Sequence, residues 1–134
     1  MRAIVLVVML GIVSIAPAAY AQQTSLQQRA DAAGRVVTRV MAQYTAGTST
    51  IDEVGAWLER WYKARQDAGA RAATLLAAAQ DWSTKAHALE TTAKSKVAAG
   101  LAPTTDADKA MFFRLEADGE LARLRGTSSF TVTY

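Results

Sequence analysis

The feature that most constrains this chain is an apolar residue at every third or fourth position over long stretches. Between Leu26 and Tyr44 these residues are 4, 3, 4, 3 and 4 positions apart, and between Leu75 and Val97 they are 4, 3, 4, 3, 4 and 4 apart. On an α-helix such spacings place all the side chains on one narrow stripe, as in coiled coils. The two stripes consist of Leu26, Ala30, Ala33, Val37, Val40 and Tyr44, and of Leu75, Ala79, Trp82, Ala86, Leu89, Ala93 and Val97. The pattern predicts an all-α protein.

Glycines and helix-capping residues divide the sequence into four predicted helices. The expected spans are Leu26–Tyr44, Ile51 to a break at residues 67–69, Arg71–Ala99, and Asp106–Arg125. Gly47, Gly100 and Gly126 follow predicted helices, where glycine readily adopts the left-handed conformation of a helix end. Three helix starts have a hydroxyl residue followed three positions later by an acid or amide. These pairs are Ser25 with Gln28, Thr50 with Glu53, and Thr105 with Asp108.

The segment Asp67-Ala68-Gly69 decides the architecture. If the chain reverses there, the turns at Gly47 and Gly100 lie at the same end of a four-helix bundle. If residues 51–99 form one helix instead, the turns lie about 70 Å apart at 1.5 Å per residue. Asp67 can cap a new helix, so we favour the reversal. The expected fold is a pair of antiparallel helical hairpins that form a four-helix bundle of long helices.

The fourth predicted helix is apolar on two sides. Phe113, Ala117, Leu121 and Leu124 form one side, and Met111, Leu115 and Ala122 form the other. A helix with two apolar sides contacts two neighbours, or one neighbour and a second subunit.

The first 21 residues have the organisation of a secretory signal peptide. Arg2 precedes an apolar run from Ala3 to Ile15, and Ala19-Tyr20-Ala21 has the form of a cleavage site. An uncleaved membrane anchor is the alternative, but the apolar run is short for a span of about 20 residues. We therefore expect cleavage after Ala21 and a periplasmic or secreted protein. The expected organisation is a signal peptide at 1–21, a helical hairpin domain at 22–126 and a short extended C-terminal tail at 127–134. The tail is expected to be extended because Phe130, Val132 and Tyr134 alternate with threonines.

The charge balance disfavours a nucleic-acid partner. The chain has 15 Lys and Arg against 12 Asp and Glu, and Arg2 lies in the predicted signal peptide. The remaining basic residues are mixed with acids and form no stripe interleaved with aromatic residues. The chain also has no cysteine, so helix packing or oligomerisation must hold it together.

Few residues suggest catalysis or metal binding. His87 is the only histidine, and a transition-metal site needs three or four ligands. Asp52, Glu53, Asp106 and Asp108 lie at predicted helix starts, where capping and the helix dipole account for them. No Ser-His-Asp set with a nucleophile turn, phosphate loop or Cys–His pair is recognisable. We expect a non-enzymatic protein with no metal, no cofactor and no identifiable small-molecule substrate.

Two turns repeat the same plan 53 residues apart. In each, a helix ends in Ala-Gly, a short linker of Thr, Ser or Pro follows, and an acid comes five or six residues after the glycine. The first turn is Gly47-Thr48 with Asp52, and the second is Gly100-Leu101 with Asp106. A helix, a glycine turn and a capped return helix therefore form a unit that is used twice.

These turns resemble the periplasmic hairpin tips of the TolC-like outer-membrane efflux protein family. The resemblance covers roughly Arg35 to Arg125. It rests on both turns, on Val54, and on Arg114-Leu115-Glu116-Ala117-Asp118, which is similar to a Leu-Glu-Ala-Glu stretch in the family's return helix. Members of the family are several times longer and have membrane strands between their hairpins, for which this chain has no room. The resemblance thus implies a free-standing hairpin module, with association with an envelope complex as one consequence.

The turns and one tryptophan are the candidate partner-binding residues. Trp61 and Trp82 lie on packing stripes and are expected in the core. Trp57 lies beside its stripe, and its expected partial exposure suits a partner contact. The candidate residues are Gly47, Thr48, Asp52, Trp57, Gly100, Leu101 and Asp106.

The sequence therefore favours a non-enzymatic helical-hairpin protein that binds a protein partner, or a second copy of itself, through its glycine turns or its fourth helix. The alternative is a small periplasmic stress chaperone or an ion-responsive helical protein. The absence of cysteine and the single histidine disfavour the ion-responsive version.

Overall fold

A computed structural model describes residues 16–69 and 71–128. These residues form four α-helices and no strand, which confirms the all-α class. The helices are α1 (Ala16–Ala46), α2 (Ile51–Ala68), α3 (Ala72–Ala98) and α4 (Thr104–Ser128). The apolar run at 3–15 and residues 129–134 of the expected tail lie outside the described residues. Among the described helices, none is both long enough and apolar enough to cross a membrane.

The helices form two antiparallel hairpins, α1/α2 and α3/α4, which pack on each other mainly through α2 and α3. Gln23 near the start of α1 donates to the carbonyl oxygen of Ala68 at the end of α2, at 2.6 Å. The chain reverses at Gly69, as favoured from the sequence, so both glycine turns lie at the same end of the bundle. Within the described residues, no Cα atom of α1 lies within 8 Å of one of α4. The backbones of the first and last helices therefore do not pack directly against each other.

The predicted stripes form the core. Leu26, Leu75 and Val97, which lie at stripe ends, are half-buried, and all other members of the two stripes are buried. The inner face of α2 is also buried; its members are Ile51, Val54, Leu58, Trp61 and Tyr62. Because burial of one large apolar side chain contributes about 1.5–3 kcal/mol, these stripes hold the hairpins together. The Tyr62 and Trp82 rings stack with centroids 4.5 Å apart and join α2 to α3.

The helix α4 comes especially close to α2 at one glycine. The ring of Phe113 lies directly over Gly55, where a Cβ atom would overlap the ring. Gly55 is buried and Phe113 is half-buried. A glycine inside a helix is unfavourable by about 1 kcal/mol relative to alanine, and here the phenylalanine fills the space that it leaves.

The predicted caps were right at one helix start and wrong at two. The Thr50 hydroxyl accepts from the Glu53 amide at 3.2 Å, so the cap of α2 is confirmed. Ser25 lies inside α1, because the alanine- and glutamine-rich residues before it favour helix and extend it back to Ala16. Thr105 lies in the first turn of α4, which begins one residue earlier at Thr104.

The predicted end of the last helix was also wrong. The helix α4 continues through Gly126 to Ser128, so the expected tail at 127–134 begins with two helical residues. Gly126 does not take the left-handed conformation that ends a helix; the glycines with positive φ in the described residues are Gly47 and Gly100.

Candidate functional site

The two glycine turns have the same backbone structure. Gly47 and Gly100 adopt positive φ angles of 82° and 70°, a conformation that glycine tolerates without strain. In the first turn, the Gly47 amide donates to the Tyr44 carbonyl and the Thr48 amide to the Gln43 carbonyl. In the second, Gly100 donates to Val97 and Leu101 to Lys96. Both turns are therefore Schellman motifs, and every donor and acceptor of one lies 53 residues from its counterpart in the other.

The turns lie side by side because three residues join them. The Tyr44 hydroxyl at the end of α1 donates to Oδ2 of Asp106 at the start of α4, at 2.8 Å. The Lys96 ammonium at the end of α3 donates to the Tyr44 carbonyl and lies 4.2 Å from the Tyr44 ring centroid. A cation at this distance from an aromatic face is attracted to it, and it also interacts favourably with the C-terminal end of the α1 dipole.

A second cross-hairpin contact lies nearer the solvent. The Lys109 ammonium of α4 is 2.7 Å from Oδ2 of Asp52 on α2. Both side chains are about half exposed, so the pair contributes at most about 1 kcal/mol. Its main effect is to neutralise Asp52 at the rim.

The buried pair Tyr44 and Asp106 is the fixed part of this arrangement. Burial, followed by the hydrogen bond to Asp106 and the charge of that carboxylate, raises the pKa of Tyr44 well above its ordinary value of 10.0. The phenol therefore remains a donor. The sequence predicted that helix capping alone explains an acid at Asp106, and this was wrong. Asp106 is only 8% exposed, and its carboxylate accepts a hydrogen bond from Tyr44 of the other hairpin.

We call residues 47–52 and 100–106 the tip surface. Leu101 is 74% exposed there, and its neighbours are small, hydroxylated or proline residues. Between the two turns is a cleft of about 320 Å³ with Tyr44, Lys96 and Asp106 among its lining residues. The tip surface thus combines an exposed leucine, neighbouring residues with hydroxyl groups, and the buried hydrogen bond between Tyr44 and Asp106.

The structure brings together six of the seven candidate residues. Gly47, Thr48, Asp52, Gly100, Leu101 and Asp106 all belong to the tip surface. Trp57 does not: it lines a groove between α1 and α2 with Ala33 and Val36. It is half-buried, as expected, and the Arg60 guanidinium lies 4.9 Å from its ring centroid.

Sequence reasoning missed Tyr44, Lys96 and Lys109 as tip residues. Tyr44 was assigned only to a packing stripe, although its hydroxyl needs a polar partner when the ring is buried. Lys96 is a basic residue in the last turn of its helix, which is a recognisable signal for an interaction with helix-end carbonyl groups. No local signal distinguishes Lys109.

A polar cluster joins α3 to α4 along the middle of the second hairpin. Asp118 accepts from the Ser83 hydroxyl at 2.6 Å, and both its oxygens lie 3.0 Å from Nε2 of His87. Arg114 contacts Asp118 at 3.1 Å and also pairs with Glu90. In a catalytic triad the imidazole lies between serine and carboxylate. Here the carboxylate lies between serine and imidazole, so the arrangement ties two helices together and does not activate the serine.

The ionisation of this cluster follows from its contacts. Burial raises the pKa of Asp118, but hydrogen bonds from Ser83, His87 and Arg114 outweigh it and hold the pKa below its ordinary value. The pKa of Glu90 is lowered mainly by the hydrogen bond from Lys94, with Arg114 adding to the effect against burial. Both acids are therefore held in their charged forms.

A groove between α2 and α4 carries three glutamates. Tyr62 donates to Glu120 at 2.7 Å, and Arg123 binds the same carboxylate. Glu116 faces Glu59, and its pKa is raised first by burial and then by that neighbouring charge. Across the described ranges, no group of three or more His, Asp or Glu residues is arranged to hold a metal ion.

Comparison with known proteins yields no relative. No protein-family model, curated protein or solved structure matches this chain.

Proposed function

We propose that this protein is a non-enzymatic, periplasmic or secreted helical-hairpin protein that binds a protein partner through its tip surface. The observation that carries the proposal is the pairing of two identical Schellman turns at one end of the bundle. Separate hairpins need no such alignment for their own stability, yet Tyr44, Lys96 and Asp106 hold these two together.

The chemistry of the tip surface fits a protein better than a small molecule. Leu101 projects into solvent, whereas a small-molecule site encloses its ligand in an apolar pocket. An apolar centre with a polar, solvent-accessible rim is the usual arrangement of a protein–protein interface. The hydroxyl groups of Thr48 and Ser49 donate within the chain, to the Gln43 carbonyl and the Glu53 carboxylate, and their oxygens can still accept hydrogen bonds from a partner.

Rigidity also supports the proposal. A surface that is already ordered loses little conformational entropy when it binds, which increases affinity. Two backbone hydrogen bonds hold each turn, and the buried Tyr44–Asp106 bond holds one turn relative to the other.

The resemblance to TolC-like hairpin tips agrees with this role. It supports a free-standing module of the outer-membrane efflux type, associated with an envelope complex. The tip surface contains both turns on which that resemblance rests.

Export from the cytoplasm is part of the proposal. Residues 18–25 on the first turns of α1 are all exposed, so cleavage after Ala21 removes no buried side chain among them. We expect the protein purified from a bacterial envelope fraction to have Gln22 at its N-terminus by intact-mass measurement. Retention of residues 1–21 would contradict the cleaved signal peptide.

Site-specific photo-crosslinking tests the binding surface. A photoreactive benzoylphenylalanine at Leu101 or Thr48 is expected to give an adduct with a second protein in intact envelopes. The matched control is the same group at Arg71, which is exposed at the opposite end of the bundle. Adducts at Leu101 and Thr48 but not at Arg71 would support the tip. Equal adducts at all three positions, or none, would contradict it.

One observation favours a second candidate function. Met111, Phe112 and Leu115 on α4 are exposed, and exposed apolar patches also bind unfolded chains. A periplasmic stress chaperone would suppress aggregation of a reduced, unfolded client at near-stoichiometric ratios. It would lose this effect in a Phe112→Ser variant and keep it in a Leu101→Ser variant. Absence of suppression by the wild-type protein would remove this candidate.

A further inference from the structure

One side of α4 is apolar and exposed, and no other described helix packs on it. Phe112 is 58% exposed, Leu115 53% and Met111 41%. We call this side the outer face of α4; its members are Met111, Phe112, Leu115, Gly119, Ala122 and Gly126. From Phe112 onward the members are 3, 4, 3 and 4 positions apart, the spacing of a helix-packing stripe.

The outer face changes in size along its length. Its first half carries the large side chains of Met111, Phe112 and Leu115, and its second half has Gly119, Ala122 and Gly126. Glycine is among the poorest helix formers. Among the described residues, no atom lies within 4 Å of the position that a Cβ atom would take at Gly119 or Gly126, so the packing of this part of the chain does not require either glycine.

We propose that the outer face of α4 binds the same face of a second copy of this chain in an antiparallel arrangement that crosses at Gly119. Phe112 lies seven positions before Gly119, and Gly126 lies seven after it. An antiparallel copy therefore places each Phe112 over the Gly126 of the other chain. Each Leu115 lies beside the Ala122 of the other chain, and the two Gly119 residues allow the helices to approach closely.

The charges beside the outer face complement one another in the same register. Glu116 lies three positions before Gly119, and Arg123 lies four after it, so each glutamate of one copy faces the arginine of the other. Within its own chain Glu116 faces Glu59, and burial, followed by the charge of Glu59, raises the pKa of Glu116. Arg123 holds Glu120 of its own chain at 2.7 Å, and its side chain is 59% exposed.

The complementarity identifies the occupant as a second copy. A two-fold interface requires a surface that complements itself, with residue i against j and j against i. Large residues in one half and small ones in the other meet this condition only when the helices are antiparallel. A parallel pair would set Phe112 against Phe112 at one end and Gly126 against Gly126 at the other, so that large residues meet large ones and small residues meet small ones.

The arrangement has a consequence for the tip surface, although it does not rest on the proposed function. Gly119 lies 15 residues from the first residue of α4, which is about 22 Å at 1.5 Å per residue. The two tip surfaces of the dimer would therefore point in opposite directions, about 45 Å apart along the paired helices.

Single-cysteine crosslinking tests the register, because the natural chain has no cysteine. Gly119→Cys in the full-length protein is expected to form a disulfide-linked dimer under mild oxidation, since the two Cα atoms lie within disulfide range. Gly126→Cys is the matched control. Its two copies would be about 21 Å apart along the helix axis, so it should stay monomeric on a non-reducing gel. It should crosslink only when it is mixed with a Phe112→Cys chain.

Light scattering tests the association itself. The wild-type protein is expected to show twice the chain mass at high concentration, and Phe112→Glu to show the single-chain mass at the same concentration. Leu101→Glu is the matched control, because it adds the same charge at an exposed apolar residue outside the outer face; it should still dimerise. Helical circular dichroism shows that each variant is folded.

Three outcomes would overturn the proposal. The first is a single-chain wild-type mass at all concentrations, as a chaperone face or a face for a different protein would give. The second is equal dimer loss in both glutamate variants. The third is efficient crosslinking of Gly126→Cys with itself.

Discussion

Phe112 and Phe113 are consecutive residues of α4 with opposite surroundings. Phe113 packs against Gly55 of α2, while Phe112 is 58% exposed. Neighbouring residues on a helix point about 100° apart, so one ring lies on the side of α4 that faces the bundle and the other does not. The glycines differ in the same way: the Phe113 ring fills the space at Gly55, whereas the space at Gly119 is open.

The comparison separates two uses of the same residue types. The inner face of α4, defined here as Asp106, Ala110, Phe113, Ala117 and Leu121, consists of residues that are buried or half-buried within the chain. On the outer face, the large and small residues match only across two chains. Substitutions on the inner face should therefore change the free energy of unfolding, and those on the outer face should change association. All stability measurements below are made at a concentration where light scattering shows single chains.

The largest expected difference is between the two phenylalanines. Phe113→Ala should lower the free energy of unfolding by about 3 kcal/mol, because it removes the ring that fills the space at Gly55 and leaves a cavity. Phe112→Ala should change it by no more than about 0.5 kcal/mol, as is usual for an exposed residue. Urea denaturation measures both. Similar losses in the two variants would mean that the faces are not distinct.

The next effect concerns the start of the inner face. Tyr44→Phe should lower the free energy of unfolding by about 2 kcal/mol, because a buried carboxylate, Asp106, loses its hydrogen-bond donor. Tyr62→Phe is the matched control. Its partner Glu120 keeps both bonds from Arg123, so a loss below about 1 kcal/mol is expected. A smaller loss for Tyr44→Phe than for Tyr62→Phe would show that the bond between the hairpins is not the stronger one.

The two glycines should respond to alanine with opposite signs. Gly55→Ala forces the Phe113 ring to move, at a cost of about 1–3 kcal/mol, offset by about 1 kcal/mol of helix propensity. A net loss of about 1 kcal/mol is expected. Gly119→Ala meets no atom of the described residues and should gain up to about 1 kcal/mol. Adding Phe113→Leu to Gly55→Ala should recover part of the loss in a double-mutant cycle; strict additivity would contradict direct contact between the two sites.

Much of the fold was predictable because its determinants are local in sequence. The intervals between Val37, Val40 and Tyr44, or between Ala86, Leu89 and Ala93, depend only on the 3.6-residue period of the helix. They identify both the helix and its buried side. The turn glycines were predictable for a similar reason, since few other residues tolerate positive φ.

The contacts between the hairpins were not predictable in this way. Tyr44 lies 62 residues from Asp106 and 52 residues from Lys96 along the chain. Whether they meet depends on how far one hairpin is shifted along the other, which no single stripe determines. Asp106 was assigned to a helix cap because a cap is a complete local explanation for an acid at that position. The split of α4 into a packed and an unpacked side was visible in the sequence, but which side packs was not.

The smallest expected changes in the free energy of unfolding come from two glutamates, Glu90 in the packed part of the second hairpin and Glu116 at the edge of the outer face. Glu90 on α3 is buried and bonded to Arg114 of α4, and its pKa lies below the ordinary 4.5. A depressed pKa stabilises the folded protein at pH values above 4.5, and this stabilisation is lost as the pH falls through the folded-state pKa. Asp118 acts in the same direction from its ordinary value of 3.8. The free energy of unfolding should therefore be constant near neutral pH and fall below about pH 4.5.

Glu116, at the edge of the outer face, should behave in the opposite way. Burial and the charge of Glu59 raise its pKa, so its charged form destabilises the single folded chain at neutral pH. Glu116→Gln should therefore increase the free energy of unfolding slightly at pH 7, whereas Glu90→Gln should decrease it and make the acid-side loss shallower. Urea denaturation between pH 3 and 7 measures both variants.

In the antiparallel dimer Glu116 faces Arg123 of the second copy, so at concentrations where the protein is dimeric Glu116→Gln should weaken association. A Glu116→Gln variant that dimerised as well as the wild type would remove the ion pair from the proposed interface, while leaving the contrast between Phe112 and Phe113 intact.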